Sequence, residues 1–343
     1  MKVVKTLFIC TVIAVLIQNL IFLYVEKIYL VNKSSYEIEK VETSGQSEAM
    51  EISINEHADD VRISYDGTFI SYMLNDTLEI YNAKDNRKDT YKEVSGKLVY
   101  YKWLTDCNKI IAIEKIVKSG KQYFVPISYD AKSGQGSVIT DFNMNQIKIK
   151  AKDSQKIDLI AFSTASSSLY IKVKDEDGKS DLYYANQMNE LKNIESNKAI
   201  GNIVVPVISS NAVVENNNKI SILNSNNSIT IPNSQRPKIL ATDKNNKVYF
   251  CNDNNGKTDM IYYADVTEKN YKWSRFNLKN QEAISDICID YNGKAYINYP
   301  EENRIKDIKS GTDIKYEGEF LQTYSKGIVT KKDGKIIKKK IDK

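Results

Sequence analysis

The sequence predicts an all-β fold: a seven-bladed β-propeller preceded by one N-terminal transmembrane helix, with a six-bladed ring and an irregular tail as the alternative. Three observations point there. Short strand-turn-strand units follow one another seven times along the chain. Their third strands share a Tyr-x-Ala signature at Tyr81-Asn82-Ala83, Tyr129-Asp130-Ala131, Tyr183-Tyr184-Ala185 and Tyr262-Tyr263-Ala264. The last two copies lie 79 residues apart, two units of about 40, and an all-strand period near 40 is the mark of a propeller.

The N-terminus comes first. Thr6 to Val25 is a run of 20 residues without a charge, long enough to cross a bilayer core as a helix. Lys2 and Lys5 precede it, and basic residues favour the cytoplasmic side. The run ends Phe22-Leu23-Tyr24-Val25-Glu26, without the small residue a signal-peptide cleavage site needs. The reading is therefore an uncleaved signal anchor. Residues 1–5 form a cytoplasmic tip, 6–25 the span, 26–48 a polar stalk, and 49–343 an extracytoplasmic propeller. Gln18 and Asn19 within the span are either tolerated amides or hydrogen-bonding contacts to a partner helix.

Each repeat then reads as strand, tight turn, strand, hairpin, strand and a more polar outer strand. First turns fall at Tyr65-Asp66-Gly67, Asp106-Cys107-Asn108, Ser166-Ser167-Ser168, Ser210-Asn211, Lys244-Asn245-Asn246, Tyr291-Asn292-Gly293 and Ser325-Lys326-Gly327. Asp, Asn and Gly tolerate the left-handed backbone such turns demand. Leu223-Asn224-Ser225 and Lys306-Asp307-Ile308 occupy the third-strand place without the Tyr-x-Ala signature. The seventh unit runs out after Gly334-Lys335-Ile336-Ile337, with no residues for an outer strand. Met50 to Asn55, ahead of the first unit, has no inner strands of its own. The economical solution is that this segment completes the last blade and closes the ring.

Ser64-Tyr65-Asp66-Gly67-Thr68-Phe69-Ile70-Ser71-Tyr72, followed by Leu78-Glu79-Ile80-Tyr81-Asn82-Ala83, resembles one blade of the TolB-type and prolyl-oligopeptidase-type propellers. Those carry Ser-Pro-Asp-Gly at the turn, where Tyr65 here replaces the Pro. The resemblance implies a propeller as architecture and brings no functional residue with it. The peptidases of that group add a hydrolase domain after the propeller. Gly-x-Ser-x-Gly is absent from this sequence, so a propeller without that domain is expected.

Composition narrows the chemistry. Lys and Arg number 49 against 44 Asp and Glu, and Lys331–Lys343 alone holds seven Lys and two Asp, the same excess of five. The remainder is neutral, which argues against nucleic acid as a partner, since such binders carry a distributed basic face. The lysines Lys331, Lys332, Lys335, Lys338, Lys339 and Lys340 are candidates for contact with anionic headgroups or wall polymer; the other reading is a charged terminal strand that deters edge pairing. His57 is the only histidine, so any Ser-His-Asp or Cys-His site would have to use it, and a surface histidine is the default. Cys10, Cys107, Cys251 and Cys288 show no metal or redox spacing. Asp175 to Asp181 lacks the acidic first and twelfth positions of a calcium loop, as does its second copy at Asp253 to Gly256, and both read as turn geometry. No cofactor or metal is implied. Trp103 and Trp273 are either core residues or platforms for a sugar or peptide.

These features favour a binding or scaffolding module at the cell envelope. Its partner would be an envelope protein, a peptide or a wall polymer. The alternative is an extracytoplasmic glycan hydrolase or lyase working through paired carboxylates in the channel.

Overall fold

The computed structural model describes residues 50–341, apart from 187, 188, 224 and 226, and residues 5, 11, 15, 18, 19 and 22, which have helical backbone. Among the described residues no helix is long and apolar enough to cross a membrane. The cytoplasmic tip apart from Lys5, most of the expected span and all of the stalk at 26–48 lie outside the described residues. The Asn19 amide donates to the Val15 carbonyl of its own helix at 2.9 Å. The chain divides into two units, Met1–Gln46 and Ser47–Lys343.

The second unit is a seven-bladed propeller of antiparallel sheets. Blade 1 holds Asp59–Ile63, Phe69–Leu74, Thr77–Asn82 and Arg87–Thr90; blade 2 holds Lys97–Trp103, Lys109–Lys118 and Lys121–Asp130, with an outer edge split into Gln135–Val138 and Ile149–Ala151. Blade 3 holds Lys156–Ser163, Ser168–Lys174, Ser180–Asn186 and Asn189–Lys198; blade 4 holds Ile200–Val204, Val213–Asn216, Lys219–Ile222 and Ser228–Ile229. Blade 5 holds Pro237–Thr242, Lys247–Asn252, Lys257–Asp265 and Ser274–Ala283; blade 6 holds Ile287–Ile289, Ala295–Tyr299, Arg304–Asp307 and Asp313–Lys315. Blade 7 takes Glu319–Tyr324, Gly327–Lys332 and Lys335–Lys340 from the C-terminal end of the chain and Met50–Ser53 as its outer strand.

That last pairing closes the ring as the sequence predicts. Met50 lies opposite Lys338, and Ile52 opposite Ile336. It also corrects one reading of the lysine tail. Lys335–Lys340 is not an edge strand warding off partners, because Gly327–Lys332 covers one side and Met50–Ser53 the other.

The second strand of each blade is apolar on both faces because each face meets a different neighbour. Alternate residues of a strand point to opposite sides of the sheet. Ile110 and Ala112 join the core shared with blade 1, while Ile111 and Ile113 join the core shared with blade 3. Phe69 and Ile70 divide in the same way between blades 2 and 7. The place of the Tyr-x-Ala signature also carries a backbone bond that does not depend on the side chain. Where the third strand ends, the Ala83 N–H donates to Thr68 O and the Ala131 N–H to Asn108 O, closing the blade onto its own first turn. Leu223 and Ile308 make the same bond to Ala212 and Ala295, so those blades keep the geometry without the signature.

Charged residues set inside apolar strands tie blades together. Glu114 is fully buried and accepts hydrogen bonds from Tyr91 Oη (2.7 Å) and from the backbone N–H groups of Val94, Ser95 and Gly96, the link between blades 1 and 2. Glu215 of blade 4 accepts from Ile239 N of blade 5 and from Asn202 N. Lys172 of blade 3 pairs with Asp158 at 2.7 Å and donates to the Gly201 carbonyl of blade 4 at 2.9 Å.

Candidate functional site in the central channel

The inner strands are irregular. Those of blades 1, 2, 3, 4, 5 and 7 each carry a register shift, between Asp59/Arg62, Leu98/Tyr100, Ile157/Leu159, Ile200/Ile203, Ile239/Ala241 and Phe320/Gln322. A bulge re-aims the side chains around it. Here Arg62, Lys102, Asn202, Leu240 and Gln322, all at or just beyond these shifts, line two cavities of about 240 and 300 Å³. The two cavities share a wall of Lys102, Trp103, Leu104, Thr105, Ile289 and Tyr291, and together they draw on the inner strands or first turns of all seven blades.

Arg62 and Lys102 supply the positive charge. Burial pulls the Arg62 guanidinium down, but its hydrogen bond with Asp60 at 2.8 Å and the tyrosines beneath it outweigh this and hold it above the ordinary value. Its guanidinium carbon sits 4.5 Å from the Tyr101 ring centre. Lys102 lacks such support. Its Nζ donates to the Ile160 carbonyl at 2.8 Å, and burial, then the neighbouring Arg62 charge, lower it to about 8.

Two carboxylates line the cavities, and both are engaged. Asp106 accepts from Thr164 Oγ1 at 2.8 Å. Asp290 accepts from Lys294 N at 2.8 Å within its own turn, and burial raises it above the usual carboxylate range. Tyr291 crosses the mouth and meets Tyr65 edge-on, with ring centres 5.5 Å apart. Burial first, and the nearby Asp106 second, push the Tyr291 phenol up to about 12, so it stays a proton donor at neutral pH.

A belt of hydrogen bonds holds this mouth through the first turns of all seven blades. Tyr65 O of blade 1 accepts from Ser325 N of blade 7 (3.2 Å), and Ser325 O accepts from Asn292 Nδ2 of blade 6 (2.9 Å). Tyr291 O accepts from Lys244 N of blade 5 (2.9 Å), and Asn246 Oδ1 of the same turn accepts from Ile208 N of blade 4 (3.0 Å). Val207 O accepts from Ser163 Oγ of blade 3, whose neighbour Thr164 reaches Asp106 of blade 2. The Asn108 side chain returns to Asp66 of blade 1, whose carboxylate lies below its ordinary range: burial opposes this, but the Thr68 N–H and Asn108 outweigh it.

Of the candidate residues singled out from sequence, Trp103 borders the channel and the others fall elsewhere. Lys331 donates to Ala58 O (2.8 Å), Lys332 pairs with Glu317 (2.6 Å), Lys335 with Glu51 (2.9 Å), Lys338 donates to Gly67 O and Lys339 to Lys315 O (2.8 Å). Lys331, Lys338 and Lys339 thus tie blade 7 to backbone carbonyls around it, Lys332 and Lys335 form exposed ion pairs, and Lys340 ends the strand, exposed. His57 is exposed beside the closing strand. Trp103 is a core residue whose Nε1 donates to Ser71 Oγ at 2.8 Å, and it lends one wall to the channel. Trp273 packs among Phe250, Tyr262 and Tyr271. Gly178 and Gly256 adopt φ of +82° and +81° in equivalent hairpins, the turn geometry expected of the two acidic loops. Lys102 was legible only as a charge amid Tyr100, Tyr101 and Trp103; nothing local placed it in the channel.

No family model matches the chain, and no curated protein matches it. Solved structures do. A chain from the crystal structure of the mitotic checkpoint complex is 12% identical, with a TM-score of 0.51, covering 90% of this chain and 100% of that one. The WD40 domain of SCAP from fission yeast is 12% identical over 82% of each chain, with a TM-score of 0.42. Acylaminoacyl peptidase of Pyrococcus horikoshii is 13% identical over 76% of this chain and 45% of its own, with a TM-score of 0.42. The propeller-repeat architecture expected from the sequence is present, and at these identities the likeness speaks to the fold alone.

Proposed function

We propose that this chain is a non-catalytic binding module, anchored in the cell membrane by the apolar run at Thr6–Val25 and carrying its propeller outside the cytoplasm. The observation that carries the binding reading is the channel. All seven blades contribute to it, a hydrogen-bonded belt holds its mouth, and its lining mixes aliphatic walls with a few polar groups, the make-up of a ligand site. The channel carboxylates weigh against the hydrolase or lyase alternative. Asp106 lines only one of the two cavities and Asp290 only the other, and each already accepts a hydrogen bond, whereas glycan hydrolysis needs a facing pair poised for proton transfer and attack. Partners of this module would be an envelope protein, a peptide or a wall polymer. Lys340 and the exposed faces of Lys332, Lys335 and Lys339 are offered as a contact for an anionic surface.

In-cell crosslinking with an affinity tag inserted near Ser44, read by mass spectrometry, tests the partner. A reproducible envelope protein supports the module. Recovery of cleaved glycan products by the isolated protein, lost in Asp106→Asn or Asp290→Asn, would replace it with the enzyme reading. Protease shaving of intact cells tests the orientation: a propeller as protected as cytoplasmic proteins would overturn it.

A further inference from the structure

Lys102 is the least compensated charge in the channel. Its ammonium has three N–H donors, and the Ile160 carbonyl takes one. The influences acting on it are burial and the like charge of Arg62, with no carboxylate among them. Arg62, by contrast, has Asp60, and Lys172 has Asp158. Buried charges in proteins are ordinarily paired, because an isolated one forfeits its hydration without return. Channel water can take the other two donors, but it brings no charge; an anion displacing that water would give Lys102 the partner the fold does not supply.

The surroundings of Lys102 describe that group. Lys102, Thr105 and Tyr291 stand on the wall common to both cavities, which brings one cation and two hydroxyls together. The rest of that wall is Trp103, Leu104 and Ile289, and the smaller cavity continues over Ile160, Phe162, Ile203 and Leu240, with Asp106, Thr164 and Asn202 also in its lining and Asp106 engaged by Thr164. A cationic cradle that opens onto a chamber of about 240 Å³ with a larger apolar than polar lining suits a small molecule or chain end with a charged head and an apolar body. We propose that the shared wall at Lys102, Thr105 and Tyr291 binds a carboxylate with an apolar body, the carboxylate meeting Lys102 and the body filling the chamber over Phe162 and Leu240. A free aliphatic acid and an apolar C-terminal residue of a peptide share this chemistry. The inference rests on the binding reading above and names what its channel holds.

The test is calorimetric titration of the full-length protein with hexanoate, hexanamide, N-acetyl-leucine, N-acetyl-leucinamide and inorganic phosphate. Hexanoate and N-acetyl-leucine are expected to bind at least about tenfold more tightly than their amides. The tighter of the two acids tells free acid from peptide end. Lys102→Met should remove that preference and Lys102→Arg should retain part of it. Binding should weaken as pH rises above about 8, where Lys102 sheds its proton. A second readout needs no variant: hexanoate should protect Lys102, over other lysines, from acetic anhydride. Equal binding of acid and amide, full affinity in Lys102→Met, or no protection of Lys102 would overturn the proposal. Binding of phosphate in preference to hexanoate would overturn the apolar body. A failed crosslinking experiment in cells leaves these outcomes untouched, so the site and the partner fail separately.

Discussion

Ile52 and Ile336 face each other across an antiparallel pair, 3% and 0% exposed, although they stand at opposite ends of the propeller sequence. Their contact is where the ring is fastened. In an open chain of blades the outer strand of blade 7 would be missing, and Lys335–Lys340 would present an unpaired edge.

Ile52→Ala should therefore cost more than its place in a short outer strand at the start of the domain suggests. A buried Ile→Ala change typically removes about 2–5 kcal/mol. Urea unfolding of the variant should show the midpoint shift with the transition still cooperative. Deleting 50–55 should prevent the ring from closing and leave a protein that binds a hydrophobic dye. A deletion that unfolds like the parent would show that the closure contributes nothing.

Glu114 holds four donors, three of them backbone N–H groups of the link between blades 1 and 2. Glu114→Gln keeps the size but turns one acceptor into an NH2 that must point at a donor. Charge-assisted hydrogen bonds are worth about 1.5–3 kcal/mol each, and an unsatisfied buried donor costs a similar amount. The expected loss is roughly 2–4 kcal/mol, with faster proteolysis between Tyr91 and Leu98. An unchanged denaturation midpoint would sink this assignment.

Lys102 gives a pH dependence of known sign. Its folded-state value is lowered to about 8 from the ordinary 10.5. Between those values the unfolded chain binds the proton more tightly, so the contribution of this group to stability rises with pH through that window. Below about pH 8 both states are protonated and the full cost of burying the charge is present. Each tenfold loss of proton affinity corresponds to about 1.4 kcal/mol, and the channel leaves the side chain partly solvated, which reduces the total. Lys102→Met should therefore stabilise the fold at pH 7 by roughly 2 kcal/mol. The advantage should fade as pH approaches 10.5. A Met variant less stable than the parent at pH 7 would show that the hydrogen bond to Ile160 outweighs the burial cost.

Gly201 leaves room for Glu215. A β-carbon at residue 201 would collide with the Glu215 carboxylate and its Cβ. Gly201→Ala should break the link from Glu215 to Ile239 and Asn202, destabilising by roughly 1–3 kcal/mol as overpacking does. Glu215→Gln should not rescue it, whereas Glu215→Ala should restore part of the loss. Thermal unfolding of the single and double variants measures both.

Much of this fold was legible in the chain. A propeller repeats one local unit, and each unit must solve the same problem of turn, apolar second strand and third-strand closure. That repetition writes turns rich in Asp, Asn, Ser and Gly, apolar runs and, in four blades, Tyr-x-Ala at a period that can be counted. Even the closure by Met50–Ser53 followed from the arithmetic of a last unit short by one strand. The buried charges left a weaker trace, as Glu114, Lys172 and Glu215 interrupt apolar second strands without naming their partners. What the tertiary structure alone decided is the channel and the fate of the lysines. Arg62, Lys102, Asp106 and Tyr291 lie on different blades or turns, and only closing the ring brings them to one axis. The sequence alone does not show that Met50–Ser53 pairs with Lys335–Lys338, that Glu51 and Glu317 meet Lys335 and Lys332, or that the Ala58, Gly67 and Lys315 carbonyls accept from Lys331, Lys338 and Lys339, while Lys332, Lys335 and Lys340 stay exposed. Local pattern reports what a segment must do for itself. Which distant groups meet is set by the geometry of seven sheets around one axis.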